Sequence, residues 1–351
     1  MNTIDFKGKD IFVGIDVHKK SWDIKILTSH TSQKLIHKTK PSPEFVAQFL
    51  KEHYPKANFH CVYEAGFCGF WIQERLFHLG IKTIVVHPGD VPTTDKEKRF
   101  KDDRIDCTKL ALSLRSGQLT GIYIPPKQMQ HDRSLVRQRY QYASDERRMK
   151  NRISSHLDFY GIKIEDVEKN NYWSNRYVAQ LEEFAMQRRD AVLQNYLVKL
   201  RKERSLSLFM TRELRKLSLT DRYKESFDLL RSIPGVGLLT AMVFLTEIGD
   251  LSRFKKDDHF IAYIGLIPST HSSGEREYRG RISKRGNKRV RTALILSAWM
   301  SVRNNPEMAW HYDTYRSNGK KANIAIVKIA RKLALRMKAI LRDKKEYEIK
   351  R

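Results

Sequence analysis

Apolar positions in the first third of the chain follow two alternating rhythms. Ile11–Ile15 (IFVGI) is a short apolar run that closes on Asp16, and Trp22–Leu27 (WDIKIL) alternates apolar and polar residues as a half-buried strand does. Phe59–Tyr63 (FHCVY) reads as a strand running into Glu64, and Thr83–Val86 as another, stopped by His87-Pro88-Gly89. Between them, 43–54 and 70–79 carry helical spacing, the first with Pro43 near its start. A further helix is predicted over 101–116 from Ile105, Leu110, Ala111, Leu112 and Leu114. Strands interleaved with helices predict an α/β layer.

From 126 to about 219 the rhythm becomes helical throughout. Leu157, Tyr177, Leu181, Phe184, Leu193, Tyr196, Leu197 and Leu200 form a seam along two or more long helices. A coiled coil between chains and an antiparallel hairpin within one chain fit the seam equally well. From about Tyr223 a third pattern begins. Ile233-Pro234-Gly235-Val236-Gly237 interrupts two helices, and a loop rich in Ser, Gly and charge is predicted over 269–287. Three helical segments finish the chain, the last two joined at Asn318-Gly319.

Composition adds a strong polyanion signal. The 351 residues hold 67 Lys and Arg against 40 Asp and Glu, a net charge of +27. Residues 276–351 alone carry 22 basic and 6 acidic residues, so more than half of the surplus sits there. That segment is also apolar enough to fold. No stretch approaches the ~18 apolar residues of a membrane span, and the N-terminal segment lacks a leader's apolar region, so a cytoplasmic protein with no membrane contact is expected. The three cysteines, Cys61, Cys68 and Cys107, form no CxxC pair and read as reduced packing thiols.

The acids at strand ends carry candidate chemistry. Asp16 and Glu64 each close a strand, while Asp103 and Asp106 stand three apart on one helical face. Hard divalent cations such as Mg²⁺ take oxygen ligands, and two ions about 4 Å apart stabilise the attacking and leaving oxygens of phosphoryl transfer. Turn residues and helix caps are the competing reading of the same acids. In the C-terminal loop, Arg276, Arg279, Arg281, Lys284, Arg285 and Lys288 suit phosphates. A serine there could attack phosphorus, though a loop gripping DNA backbone accounts equally well for these residues. Gly235 and Gly237 match the turn of a helix-hairpin-helix element, whose amides suit a phosphate. Tyr278, Trp299, Trp310, Tyr312 and Tyr315 could stack on bases, but for helical positions such as Trp299 a core role is the better reading.

Taken together these blocks resemble the DEDD transposases of insertion sequences whose recombinases are guided by a bridge RNA. The residues that carry the resemblance are Gly14–Lys19 (GIDVHK), Tyr63–Gly69 (YEAGFCG), Lys101–Asp106 (KDDRID) with Leu110-Ala111, Ile233–Gly237 (IPGVG), Tyr263–Pro268 (YIGLIP), Ser273-Gly274, Arg279-Gly280 and Ser283-Lys284. The resemblance implies an α/β RuvC-like, ribonuclease-H-type domain over 1–125, with Asp16, Glu64, Asp103 and Asp106 as Mg²⁺ ligands. It further implies an α-helical coiled-coil assembly region over 126–222, and a mainly α-helical transposase domain over 223–351 with a helix-hairpin-helix-like element. It puts the nucleophilic serine at Ser273, directly before Gly274, with Ser272 adjoining it. The partners implied are donor and target DNA, a structured bridge RNA, and further copies of the chain in a dimer or tetramer. The acidic site of one copy and the serine of another would then form a composite site acting in the prokaryotic nucleoid. Two other functions fit the residues less completely: a RuvC-like junction nuclease using water, and a non-catalytic nucleic-acid binder.

Overall fold

The computed structural model describes residues 5–29, 32–92, 103–163, 173–273, 276–282 and 285–349; for 32–33, 103–104, 268–273 and 276–281 it describes the backbone alone. The chain divides into two compact units, Met1–Ile124 and Pro125–Arg351.

The first unit is built on a five-stranded sheet of order β3-β2-β1-β4-β5. Its strands are β1 (Asp10–Val17), β2 (Trp22–Thr28), β3 (Ser32–Thr39), β4 (Asn58–Glu64) and β5 (Lys82–Val86). β1, β2 and β3 pair antiparallel, while β4 and β5 run parallel to β1. α1 (Pro43–His53) and α2 (Trp71–His78) cover one face, burying Val46, Leu50, Ile72 and Leu76 against Ile11, Val13 and Ile15. α3 (Asp103–Arg115) covers the other, with Leu110 packed on Val62 and Val86. The apolar runs predicted this layer because β1 and β4 lie inside the sheet, covered on both faces, and carry an almost continuous apolar sequence. β3 is absent from the sequence reading. Among the described residues it is an edge strand paired only with β2, and SQKLIHKT has neither an apolar run nor turn signals to mark it.

The second unit begins with α4 (Lys127–Phe159), followed by α5 (Asn175–Gln187) and α6 (Ala191–Ser218). The 33-residue α4 and 28-residue α6 pack against each other. The end of α4 (Met149, Ile153, Leu157) meets the start of α6 (Leu193, Leu197, Leu200), with Tyr177 and Leu181 of α5 filling the same cluster. The apolar seam therefore closes within one chain, as an antiparallel hairpin. At its other end Val136 and Leu214 enter the core of the helices that follow. These are α7 (Lys224–Arg231), α8 (Leu238–Ile248), α9 (Asp257–Ile264), α10 (Lys288–Asn304), α11 (Pro306–Ser317) and α12 (Ala322–Asp343). Phe244, Phe260, Leu294, Ile329 and Leu333 are buried at their centre.

One element corrects the sequence reading. The expected loop over 269–287 contains a two-stranded hairpin, β6 (Pro268–Ser273) and β7 (Arg276–Ile282), in the register Ser273↔Arg276, Ser272↔Glu277 and His271↔Tyr278. The hydroxyl-rich, charged sequence masked it because neither strand carries the apolar alternation of a covered sheet. The three cysteines are free thiols, as expected, with Cys61 and Cys107 buried. Among the described residues, no helix is long and apolar enough to cross a membrane.

Candidate active site

The acidic face of the first unit begins with a glycine. A Cβ on Gly14 would lie 2.2 Å from the Cys107 carbonyl oxygen and 2.6 Å from the Ala111 amide nitrogen. Only a residue without a side chain lets the backbone of α3 rest on β1. Asp16, two residues on, leaves the strand on that same face. β4 runs parallel to β1 with Ile15 opposite Tyr63, so Asp16 and Glu64 each follow the last paired residue of neighbouring strands. α3 starts at Asp103 and carries Asp106 one residue before Cys107, the residue that touches Gly14. Strand register and one close helix contact thus bring three carboxylate side chains, and the backbone of Asp103, to one edge of the sheet. The Asp103 side chain lies outside the described residues, as do Lys101 and Asp102.

The acids on this face have basic companions. His18 Nε2 lies 3.1 Å from Asp16 Oδ2, and Lys109 Nζ lies 3.3 Å from Asp106 Oδ1. The field of the face reaches Cys107, whose thiol is pushed up to about 12, first by burial, then by the Asp23 carboxylate and more weakly by Asp16. Asp23 and Asp16 are direct cross-strand neighbours. Donor chemistry fits a hard divalent cation, since these acids offer only oxygen. Among the described residues no three His, Cys, Asp or Glu side chains converge as a formed cation site. Sequence reasoning missed Asp23, because a polar residue at an alternating position of WDIKIL reads as solvent-facing. Phe67, within the YEAGFCG segment, is 64% exposed just beyond Glu64, with Lys19 Nζ 5.9 Å from its ring centre.

The second unit holds the serine and the basic residues. Ser273 is the last residue of β6 and pairs with Arg276, so only two residues join the strands. Arg279 and Arg281 lie on β7. The side chains of Ser273, Arg276, Arg279 and Arg281 lie outside the described residues, as does all of Lys284. Arg285 and Lys288 are exposed.

The base of the hairpin is closely built. A Cβ on Gly286 would lie 2.2 Å from Gly265 Cα, and Gly265 itself has φ +80°, so its two stems meet backbone to backbone. Beside them Asn287 caps α10, accepting from the amides of Arg289 (3.1 Å) and Val290 (3.3 Å). Its Nδ2 donates to Glu247 Oε2 at 3.1 Å. Glu247, 1% exposed, also accepts two hydrogen bonds from Arg137 at 2.7 and 2.9 Å. Burial pushes the Glu247 carboxyl up, but Arg137, Asn287 and Arg133 outweigh it and hold the group below the usual carboxylate range.

The Ile233–Gly237 turn links α7 to α8. Gly235, at φ +96°, is pressed on α10, where a Cβ would fall 2.4 Å from the Ser301 amide nitrogen, and Ser301 Oγ donates to Pro234 O at 2.8 Å. Packing therefore accounts for this glycine. Gly237 caps α8 with open space around it, the nearest atom to an added Cβ being Arg231 Nη1 at 3.8 Å. Trp299 is not a core residue: it is 37% exposed and leans on Tyr312, with ring centres 5.6 Å apart. Trp310 is 64% exposed.

An acidic edge on an α/β sheet, carried in one chain with a basic helical unit, is a combination suited to phosphoryl transfer on nucleic acid. The family described as a transposase with the DEDD domain of IS110 elements matches residues 13–162, and the "Transposase IS116/IS110/IS902 family" matches residues 227–313. A protein of Sinorhizobium fredii named as a transposase, y4qE, is 29% identical over 96% of this chain and 90% of its own length. The transposase for insertion sequence element IS1533 of Leptospira borgpetersenii is 27% identical over 94% of this chain and 95% of its own. The pilin gene-inverting protein of Moraxella lacunata is 26% identical over 96% and 97%. This chain belongs to the IS110/IS116 family of insertion-sequence transposases. It is an enzyme of DNA cleavage and rejoining, and its DEDD domain points to dependence on a divalent metal.

Proposed function

We propose that the chain cuts and rejoins DNA through a phosphoester on Ser273, assisted by Mg²⁺ held by Asp16, Glu64, Asp103 and Asp106, and that a structured RNA selects the DNA. The observation that carries this reading is the acidic edge, where Gly14 seats α3 on β1 and gathers the acids beside the strand ends. Bound there, a divalent cation would polarise the scissile phosphate and neutralise charge as it develops. The protein's own residues do the rest. Ser273 Oγ attacks phosphorus, its proton passes to water, and the bridging oxygen leaves with the bonding electron pair. The new phosphoester conserves the energy of the broken bond. A strand hydroxyl then attacks the same phosphorus, restoring the serine and a DNA phosphodiester without ATP. The name of the Moraxella relative, a gene-inverting protein, fits an enzyme that rejoins what it cuts.

The basic residues support grip on DNA and RNA backbones. Arg276, Arg279, Arg281, Lys284, Arg285 and Lys288 flank the serine in sequence, and Gly237 leads α8, whose N-terminal amides suit a phosphate. Gly235 would contribute by shaping that turn. With +27 on the chain, two nucleic-acid partners are electrostatically reasonable. Base pairing would supply sequence choice and leave the protein to read backbone and shape. Assembly into a dimer or tetramer, through outward positions of the α4–α6 hairpin such as Val198, Leu208 and Phe209, which are exposed apolar residues, completes the reading.

The test is cleavage of end-labelled DNA with Mg²⁺ and the RNA encoded beside the gene, comparing wild type with Ser273→Ala. A protein–DNA adduct present in wild type and absent in the variant supports serine recombination. Cleavage that survives without an adduct would make the enzyme a hydrolytic nuclease. Unchanged cleavage on adding EDTA would remove the metal.

A further inference from the structure

Asp23 stands outside the four-acid pattern yet on its face. It lies directly opposite Asp16 in the antiparallel β1–β2 register, so the two side chains leave the sheet on the same side. The Asp23 side chain is only 2% exposed. Like charges directly opposite each other on a sheet destabilise it, and a buried carboxylate without partners costs more still.

The chain bends its edge strand to serve this residue. Between Trp22↔Thr39 and Ile24↔Ile36 the pairing slips, so that His37 and Lys38 together oppose Asp23. Lys38 takes φ +50°, a backbone conformation that a long side chain adopts at a cost. The result is that the Lys38 amide donates to Asp23 Oδ1 at 3.0 Å and the His37 ring donates to the same oxygen. Bulges of this kind re-aim groups beside active sites.

We infer that Asp23, oriented by His37 and Lys38, is a fifth acid of the cation site, strengthening its hold on a divalent cation by charge from beside Asp16. The strained bulge holds a buried negative charge where the sheet alone would expel it, and a cation bound at the neighbouring acids is what that charge would stabilise. This rests on the reading that Asp16 and its companions hold a metal. Asp23 is a positioning residue, acting through the site rather than on the substrate.

The measurement is Mn²⁺ binding to the full chain without nucleic acid, by electron paramagnetic resonance, together with thermal unfolding in chelator. Asp23→Asn keeps the size of the side chain and an acceptor for the Lys38 amide. It is expected to raise the Mn²⁺ Kd about tenfold while the Tm in chelator stays level or rises, since a like-charge pair has been relieved. A lower Tm with unchanged Mn²⁺ affinity would assign Asp23 a structural role and overturn the inference. His37→Gln, which leaves the carboxylate but loosens it, is expected to weaken Mn²⁺ by about threefold; no change in either variant also overturns it. Asp16→Asn is the control for the underlying reading. If Mn²⁺ binding is absent in wild type or survives Asp16→Asn, the four-acid site fails and this inference falls with it. If Asp16→Asn abolishes binding and Asp23→Asn does not weaken it, only this inference fails.

Discussion

The acidic edge and the serine hairpin are held in place by different means. Asp16 and Glu64 sit at the ends of covered strands, and α3 is seated on β1 through Gly14. Their positions follow from sheet register, so replacing one acid removes its charge and leaves the backbone intact. Among the described residues the β6–β7 hairpin has no flanking strand. An isolated two-stranded ribbon is marginal on its own. It depends on its base, where Gly265 meets Gly286 and where Asn287 and the half-exposed Arg137 hydrogen-bond to the buried Glu247. The acidic edge is therefore vulnerable at its acids and at the single Gly14 contact, and the hairpin at base residues far from its tip.

The largest effects test the functional residues themselves. Ser273→Ala is expected to lower strand cleavage on the order of 10⁴-fold, as loss of a nucleophile does, with DNA binding nearly unchanged. Ser272→Ala should stay within a few-fold, because its register partner is Glu277 and it stands one residue further from the tip. Single-turnover cleavage and filter binding read both. Equal losses in the two serine variants would show that the hairpin as a whole grips DNA, and would break the contrast with the acidic edge.

A second test bears on the seat of that edge. Gly14→Ala puts a methyl 2.2 Å from the Cys107 carbonyl oxygen, and overpacking against backbone costs roughly 3 kcal/mol or more. The expected result is a first unit that unfolds at markedly lower denaturant concentration, with the second unit unaffected. Urea unfolding of wild type and variant, followed by tryptophan emission and far-ultraviolet circular dichroism, checks it. An unchanged midpoint would mean that α3 is not tightly seated.

The same contrast explains what could be read from the sequence. Ile11–Asp16 and Phe59–Glu64 announced both strands and the acids that close them because an apolar run ending in a carboxylate is a local signal. The spacing of Asp103 and Asp106 announced the helical face. β3 was hidden by its polar edge sequence, and with it the setting of Asp23, which is met by a bulge in β3, two strands from Asp16's own strand β1. The hairpin was hidden because its order comes from distant residues. Glu247 is 40 residues from Asn287 and 110 from Arg137, and a single buried Glu in the apolar run LLTAMVFLTEI gives no hint of what it will anchor. The seam of the long helices was legible. Whether it closed within the chain was not, because an apolar stripe does not say whose stripe it faces.

Glu247 offers a third test, through acidity. Its folded-state carboxyl is held below the usual range, so its contribution is present at neutral pH and is lost as pH falls below the ordinary carboxylate value toward the folded one. Wild type should therefore lose stability of the second unit on acidification. Glu247→Gln leaves the half-exposed Arg137 facing a neutral amide, and is expected to cost about 1–2 kcal/mol at pH 7, since water can solvate the guanidinium, and to flatten the acid limb. Urea midpoints between neutral and acidic pH give both slopes. A parallel acid limb in the variant would place the titrating groups elsewhere.

The smallest effects concern single phosphate contacts, and they separate the two regions by salt rather than by rate. Each lysine or arginine that meets a phosphate contributes close to one unit to the slope of log affinity against log salt. Arg285 and Lys288 are exposed at the foot of the hairpin, so Arg285→Ala and Lys288→Ala should each weaken DNA binding a few-fold and reduce the slope by about one. Asp16→Asn removes a negative charge from the acidic edge; without divalent cation it should leave the slope as in wild type, because no condensed counterion is displaced by a carboxylate. Fluorescence-anisotropy titrations across a range of KCl, in EDTA, make the comparison directly. Should the slope stay fixed in both basic variants, the hairpin's foot does not touch the DNA backbone, and the grip must come from other cations of the second unit, of which α12 carries Lys328, Arg331, Lys332, Arg336, Lys338 and Arg342.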